Sequence, residues 1–145
     1  MDRKVRRHAR EMALQALYAM RVGGGELERC VDFVVSESDR PPVEDSRDYC
    51  VKLLTEVVAR QEWADRLIAS KLQHWDLDRV TFIDRLILEL ALIEMVNFDD
   101  VPPKVSISEA IEIAKIYSTA DSPGFVNGIL DAVYHDLLAG KSTDS

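Results

Sequence analysis

At 145 residues and 16.4 kDa, with 47% apolar residues, the chain has the size and composition of one domain with its own core. Its longest apolar stretch, Ile83 to Val96, is broken by Asp84, Arg85, Glu89 and Glu94, which excludes a membrane span of roughly 18 uncharged residues. The net charge of −8 argues against a nucleic-acid partner as a sum but not in its distribution: Arg3, Lys4, Arg6, Arg7 and Arg10 against Asp2 alone give residues 1 to 10 a balance of plus 4, which leaves minus 12 on the rest. A basic end on an acidic body predicts contact with a polyanion on one face and with a basic partner on another.

From Arg3 to Val22 the residues Val5, Ala9, Met12, Ala13, Ala16 and Met20 fall in one stripe at helical spacing, with Leu17 at its border. Arg3, Arg6, Arg7 and Arg10 occupy the neighbouring and opposite arc, and Tyr18 lies beside Arg7. Gly23, Gly24 and Gly25 follow as a helix stop; they lack the Lys-Ser or Lys-Thr of a phosphate-cradling loop. A second helix, about Glu26 to Glu37, buries Leu27, Cys30, Val31 and Val34, and a loop with Pro41 and Pro42 runs from Ser38 to Asp45.

The spacing of Cys50, Leu53, Leu54, Val57, Ala64, Leu67 and Ile68 predicts one long helix over Ser46 to Leu72, bent near Gln61. Trp75 and Leu77 read as a tight turn on the core. Thr81 to Phe98 is apolar around most of its circumference, as suits a helix in the middle of a bundle. Ser106 with Glu109 three residues on reads as a capping box for a helix ending near Tyr117. Ser122-Pro123 reads as a cap serine with proline in the first turn of a last helix that ends near Leu138. No run alternates with period two, so the fold class is all-α, a bundle of six to seven helices.

The chemistry of sites narrows the function. Cys30 and Cys50 read as buried, reduced thiols, and His8, His74 and His135 have no ligand-like spacing, so neither a metal nor a cofactor is expected. No carboxylate pairs with a histidine or nucleophile at a catalytic spacing, so the chain reads as no enzyme. Arg85 or another cation is expected to pair with one of Glu89 and Glu94, which sit in the most apolar helix. The charged start without an apolar leader reads as cytoplasmic.

Phosphates are spaced along a strand, so several guanidiniums must project from one surface to engage them together. Arg3, Arg7 and Arg10, at i, i+4 and i+7, meet that requirement, and their planar forks suit both phosphates and unpaired bases. The alternative is a solvated helix face, partly paired with the acidic body. Tyr18 is placed to stack on a base or simply packs at the core's edge. Asp121-Ser122-Pro123-Gly124-Phe125 is either an anion site at a helix start or a plain cap.

Three blocks of words go further than periodicity. They are Arg6-Arg7-His8-Ala9-Arg10-Glu11 leading into Ala13-Leu14-Gln15-Ala16-Leu17-Tyr18; Asp84-Arg85 to Glu94; and Val105-Ser106-Ile107-Ser108-Glu109-Ala110-Ile111-Glu112-Ile113-Ala114-Lys115 with Phe125-Val126-Asn127-Gly128-Ile129-Leu130-Asp131. In this order they resemble the NusB family of transcription antitermination factors over almost the whole chain.

That resemblance implies two packed three-helix subdomains, about residues 1–74 and 75–140, followed by a tail at 141–145. It implies a partner, the ribosomal protein NusE, and a ligand, the single-stranded boxA element of nascent ribosomal RNA transcripts, held beside the elongating RNA polymerase. Carried over by position, Arg6, Arg7, Arg10, Gln15 and Tyr18, with Asp121 and Phe125, form the RNA surface; Asp78 and Asp84 are assigned to the partner. A homodimer contact would mask that surface until the partner arrives, though no residue establishes one. Glu89 departs from the family, which often has arginine there, and so puts any ion pair of that arginine into question. Two other readings stand beside this one: a relative of the NusB-like domain of ribosomal RNA methyltransferases, here without a glycine-rich methyl-donor site, and a helical interaction module whose basic helix contacts protein or an acidic membrane surface.

Overall fold

The computed structural model describes residues 2–39, 43–72 and 80–140. Six helices are present among them, and no strand: α1 (Arg3–Gly23), α2 (Leu27–Ser36), α3 (Glu44–Ser70), α4 (Phe82–Asn97), α5 (Pro103–Tyr117) and α6 (Ser122–Leu138). The all-α class and the helix bodies follow the 3.6-residue rhythm of the apolar positions. The readings at Pro41, Pro42, His74, Trp75, Leu77, Asp78 and 141–145 lie outside the described residues.

The chain divides into two compact units, Met1–Ala59 and Arg60–Ser145. The division falls inside α3. Arg60 leaves helical geometry there, at φ −122° and ψ 22°, one residue from the bend expected at Gln61. In the second unit its guanidinium lies 4.2 Å from the Trp63 ring centre and donates to Asn97 Oδ1 at 2.6 Å.

In the first unit α1 packs on α2 around Ala9, Met12, Ala13, Leu14, Ala16, Leu17, Cys30, Val31 and Val34. The glycine stop closes α1. Gly24 donates its N–H to the Met20 carbonyl at 3.0 Å from a φ of 76°, a conformation that only glycine adopts without cost. The start of α3 is tied to both helices: Ser46 Oγ donates to the Val5 carbonyl at 2.9 Å, and Arg47 pairs with Asp32 at 2.7 Å. Burial pushes the Cys50 thiol up to about 12, against the opposing influence of Arg47.

In the second unit α4 is buried on nearly every side and packs against α5 and α6. Two of its three buried carboxylates, Glu89 and Glu94, have polar partners as such groups must. Glu89, fully buried, lies 3.5 Å from Arg85 Nε, and Arg85 also bonds Asp65 at 2.8 Å. The Asp65 hydrogen bond is the main cause that raises the Arg85 pKa above its ordinary value. Arg85 is thus the cation expected for this helix, shared between two carboxylates.

Glu94 accepts a hydrogen bond from Ser106 Oγ at 2.7 Å, and this corrects the capping-box reading. Helix α5 begins at Pro103, three residues before Ser106, because proline fits a first turn whose N–H groups have no helical partner. The Ser106 hydroxyl is thereby inside the helix and serves α4 instead of a terminus. The last helix needs a smaller correction. Asp121, not Ser122, is its cap residue, and Pro123 is in the first turn as expected.

Candidate nucleic-acid interface

The candidate surface starts at the N-terminal turn of α1. Asp2 caps it, accepting from the Lys4 N–H at 2.9 Å, and the first turn has no acidic residue. Arg3, Lys4 and Arg6 stand there instead. A helix N-terminus carries about half a positive charge, so cations in this turn cost helix stability while strengthening the local field for an anion. Local rules are broken in this way mainly where function requires it.

The structure distributes the predicted cations unevenly. Arg3 and Lys4 are exposed, and Arg6 and Arg7 are half-buried. Arg10 is 6% exposed and belongs to the buried side of α1, which corrects its place on the expected ridge. The cause is helical spacing. Leu14 and Leu17 follow Arg10 at i+4 and i+7, both are buried, and they carry the covered arc around to it.

The accessible strip of α1 instead runs Lys4, Arg7, Glu11, Gln15 and Tyr18, in steps of three and four residues. Gln15 and Tyr18 stand on it, Tyr18 at 43% exposure. Lys4 was not singled out from the sequence as a site residue. Its spacing of three residues from Arg7 is the signal that places it. The Arg6 guanidinium lies 5.0 Å from the ring centre of Tyr49, on α3.

The remaining predicted residues belong to the second unit. Asp121 is exposed at the start of α6, and Phe125, half-buried, follows one turn on. Below them Ser122 is buried and its hydroxyl meets Ser118 and Thr119 at 2.8 and 2.9 Å. Asp84, assigned from the sequence to a partner, is 4% exposed, with its carboxylate accepting from Ser118 at 2.7 Å and from Ser122 at 2.9 Å. It faces the α5–α6 turn. No helix is long and apolar enough to cross a membrane among the described residues.

A basic, partly exposed helix start, with an exposed tyrosine about three turns beyond Arg7 on the same side of α1, is chemically suited to phosphate and to an unstacked base. The family model for NusB matches residues 7–135. The chain belongs to the NusB family. It is 41% identical over 132 residues to the transcription antitermination protein NusB of Chloroherpeton thalassium, which takes in 91% of this chain and 62% of that relative's length. It is 41% identical over 135 residues to the protein of the same name from Salinibacter ruber, with 91% and 82% covered. For that of Symbiobacterium thermophilum the figures are 37% over 145 residues, with 96% and 95% covered.

Solved NusB structures share the fold. The T. maritima NusB structure superposes with a TM-score of 0.81 at 32% identity, covering 90% of this chain and 91% of that one. A crystal structure of the antitermination factors NusB and NusE in complex with dsRNA gives 0.82 at 26% identity, covering 92% and 98%. Transcription antitermination is the role that NusB membership carries. Arg7, Arg10, Gln15, Tyr18, Asp121 and Phe125 fall within the matched stretch, and Arg3 and Arg6 just before it.

Proposed function

We propose that this chain is a non-catalytic, cytoplasmic antitermination factor that holds boxA-type single-stranded RNA of nascent ribosomal RNA transcripts, together with the ribosomal protein NusE, beside the elongating polymerase. The observation that carries the reading is the first turn of α1. It puts Arg3, Lys4 and Arg6 at the positive end of a helix with no acidic residue among them, and Arg7 and Tyr18 follow on the accessible side.

A single strand fits this surface better than a duplex. An exposed tyrosine and planar guanidiniums recognise unstacked bases, which a double helix hides. The related NusB–NusE complex contains dsRNA, so a duplex is the natural competitor in the test. Asp121 and Phe125 enter the RNA surface through the resemblance, as residues of the second unit. NusE as partner is supported by the charge of minus 12 beyond residue 10, which suits a basic ribosomal protein.

Fluorescence anisotropy with a labelled boxA-like strand, its scrambled sequence and its duplex tests the reading, each with and without NusE. The boxA strand is expected to bind best, and NusE to increase its advantage. Equal affinity for all three RNAs would instead favour a helical module with a general affinity for anions.

A further inference from the structure

Tyr49 is 6% exposed at the start of α3, and its ring lies under the Arg6 guanidinium, 5.0 Å from centre to Cζ. Three residues earlier Ser46, also buried, donates from Oγ to the carbonyl of Val5 at 2.9 Å. One turn of α3 therefore holds both the backbone next to Arg6 and the charged end of its side chain. All four residues belong to the first unit.

An arginine loses considerable rotamer freedom when a ligand immobilises it, and that loss weakens binding. A guanidinium already resting on a fixed ring has less freedom left to lose. The contact places Arg6 Cζ over the Tyr49 ring, an attraction of the charge to the ring face, whereas phosphate is gripped through guanidinium N–H groups, so one arginine is chemically able to make both contacts. Burial of the ring restricts the rotamers open to it.

We propose that Tyr49, supported by Ser46, is a positioning residue for RNA: it preorganises Arg6 without touching the strand. The proposal rests on the RNA-binding reading of α1 given above.

Equilibrium binding of the boxA-like strand to Arg6→Ala, Tyr49→Phe, Tyr49→Leu and the Arg6→Ala/Tyr49→Leu double variant tests it, with thermal melting of each. Tyr49→Phe, which keeps the ring, is expected to bind as the unaltered protein does. Tyr49→Leu is expected to bind roughly two- to tenfold more weakly, and to have no further effect once Arg6 is alanine. An equal loss in both backgrounds would assign Tyr49 a general structural role and overturn the proposal, as would an unaffected Tyr49→Leu variant beside a weakened Arg6→Ala. If Arg6→Ala itself bound RNA normally, the proposal would fall together with the assignment of Arg6 to the RNA surface. Where Tyr49→Leu melts within the assay range, Ser46→Ala replaces it. The same dependence on Arg6 is expected at smaller size, and a loss independent of Arg6 overturns the proposal.

Discussion

Asp84 and Ser122 meet inside the second unit, carboxylate to hydroxyl at 2.9 Å, joining the first turn of α4 to the first turn of α6. Ser118 adds a second hydroxyl at 2.7 Å on the other carboxylate oxygen. A buried charge held by hydroxyl donors depends on all of them, and the donors in turn lose their acceptor if it is removed. Asp84→Ala is expected to lower unfolding stability by about 2–3 kcal/mol, read from the urea midpoint. The affinity of the folded variant for NusE should remain unchanged. Unaltered stability with loss of NusE binding would return Asp84 to the partner face.

Cys50 is expected to resist thiol reagents in the native protein. Its thiol is buried and its pKa is pushed up to about 12 from 9.0. A shift of that size makes the reactive thiolate about a thousandfold scarcer near pH 8 than in the unfolded chain. Maleimide labelling followed by peptide mass analysis should modify Cys50 rapidly only in denaturant. Because the folded value lies above the unfolded one, the associated stability is complete below pH 9 and is lost as pH rises toward about 12. Equally fast labelling of Cys50 with and without denaturant would contradict the buried placement.

Arg10 and Arg7 should behave differently although both were drawn from the same basic run. Arg10→Ala removes a buried side chain and is expected to cost about 1–3 kcal/mol, largely through lost packing. Arg7→Ala, on the accessible strip, is expected to stay within about 0.5 kcal/mol of the unaltered protein. Thermal melting of the two variants decides the matter, and equal melting temperatures would show that Arg10 does not depend on its buried setting.

The helix bodies were legible because their signal is local. Apolar residues of α4 repeat so densely that its expected span, Thr81 to Phe98, lies within one residue of Phe82–Asn97 at each end. The helix starts were harder to place because the decisive partners are distant in sequence. The hydroxyl of Ser106 is claimed by Glu94, and that of Ser122 by Asp84. A capping motif describes what a serine is able to do locally, and tertiary packing gave these two another task.

The site was legible as a composition and less so as a surface. The basic run at residues 3–10 marks α1 from sequence alone, but a wheel treats every non-apolar arc as open to water. Leu14 and Leu17 extend burial to Arg10, which the run by itself does not reveal. The ring under Arg6 comes from Tyr49, on another helix, and has no counterpart in the spacing of α1.

The most direct test of the central claim is the salt dependence of boxA RNA binding for the unaltered protein and for an Arg3→Ala/Arg7→Ala variant shown to be folded. Each phosphate contact to a single strand contributes a slope of about −0.7 in log K against log salt. If these arginines hold the strand, the variant binds more weakly and its slope is shallower by roughly 1.4. An unchanged affinity and slope in the folded variant would show that the RNA lies elsewhere on the molecule.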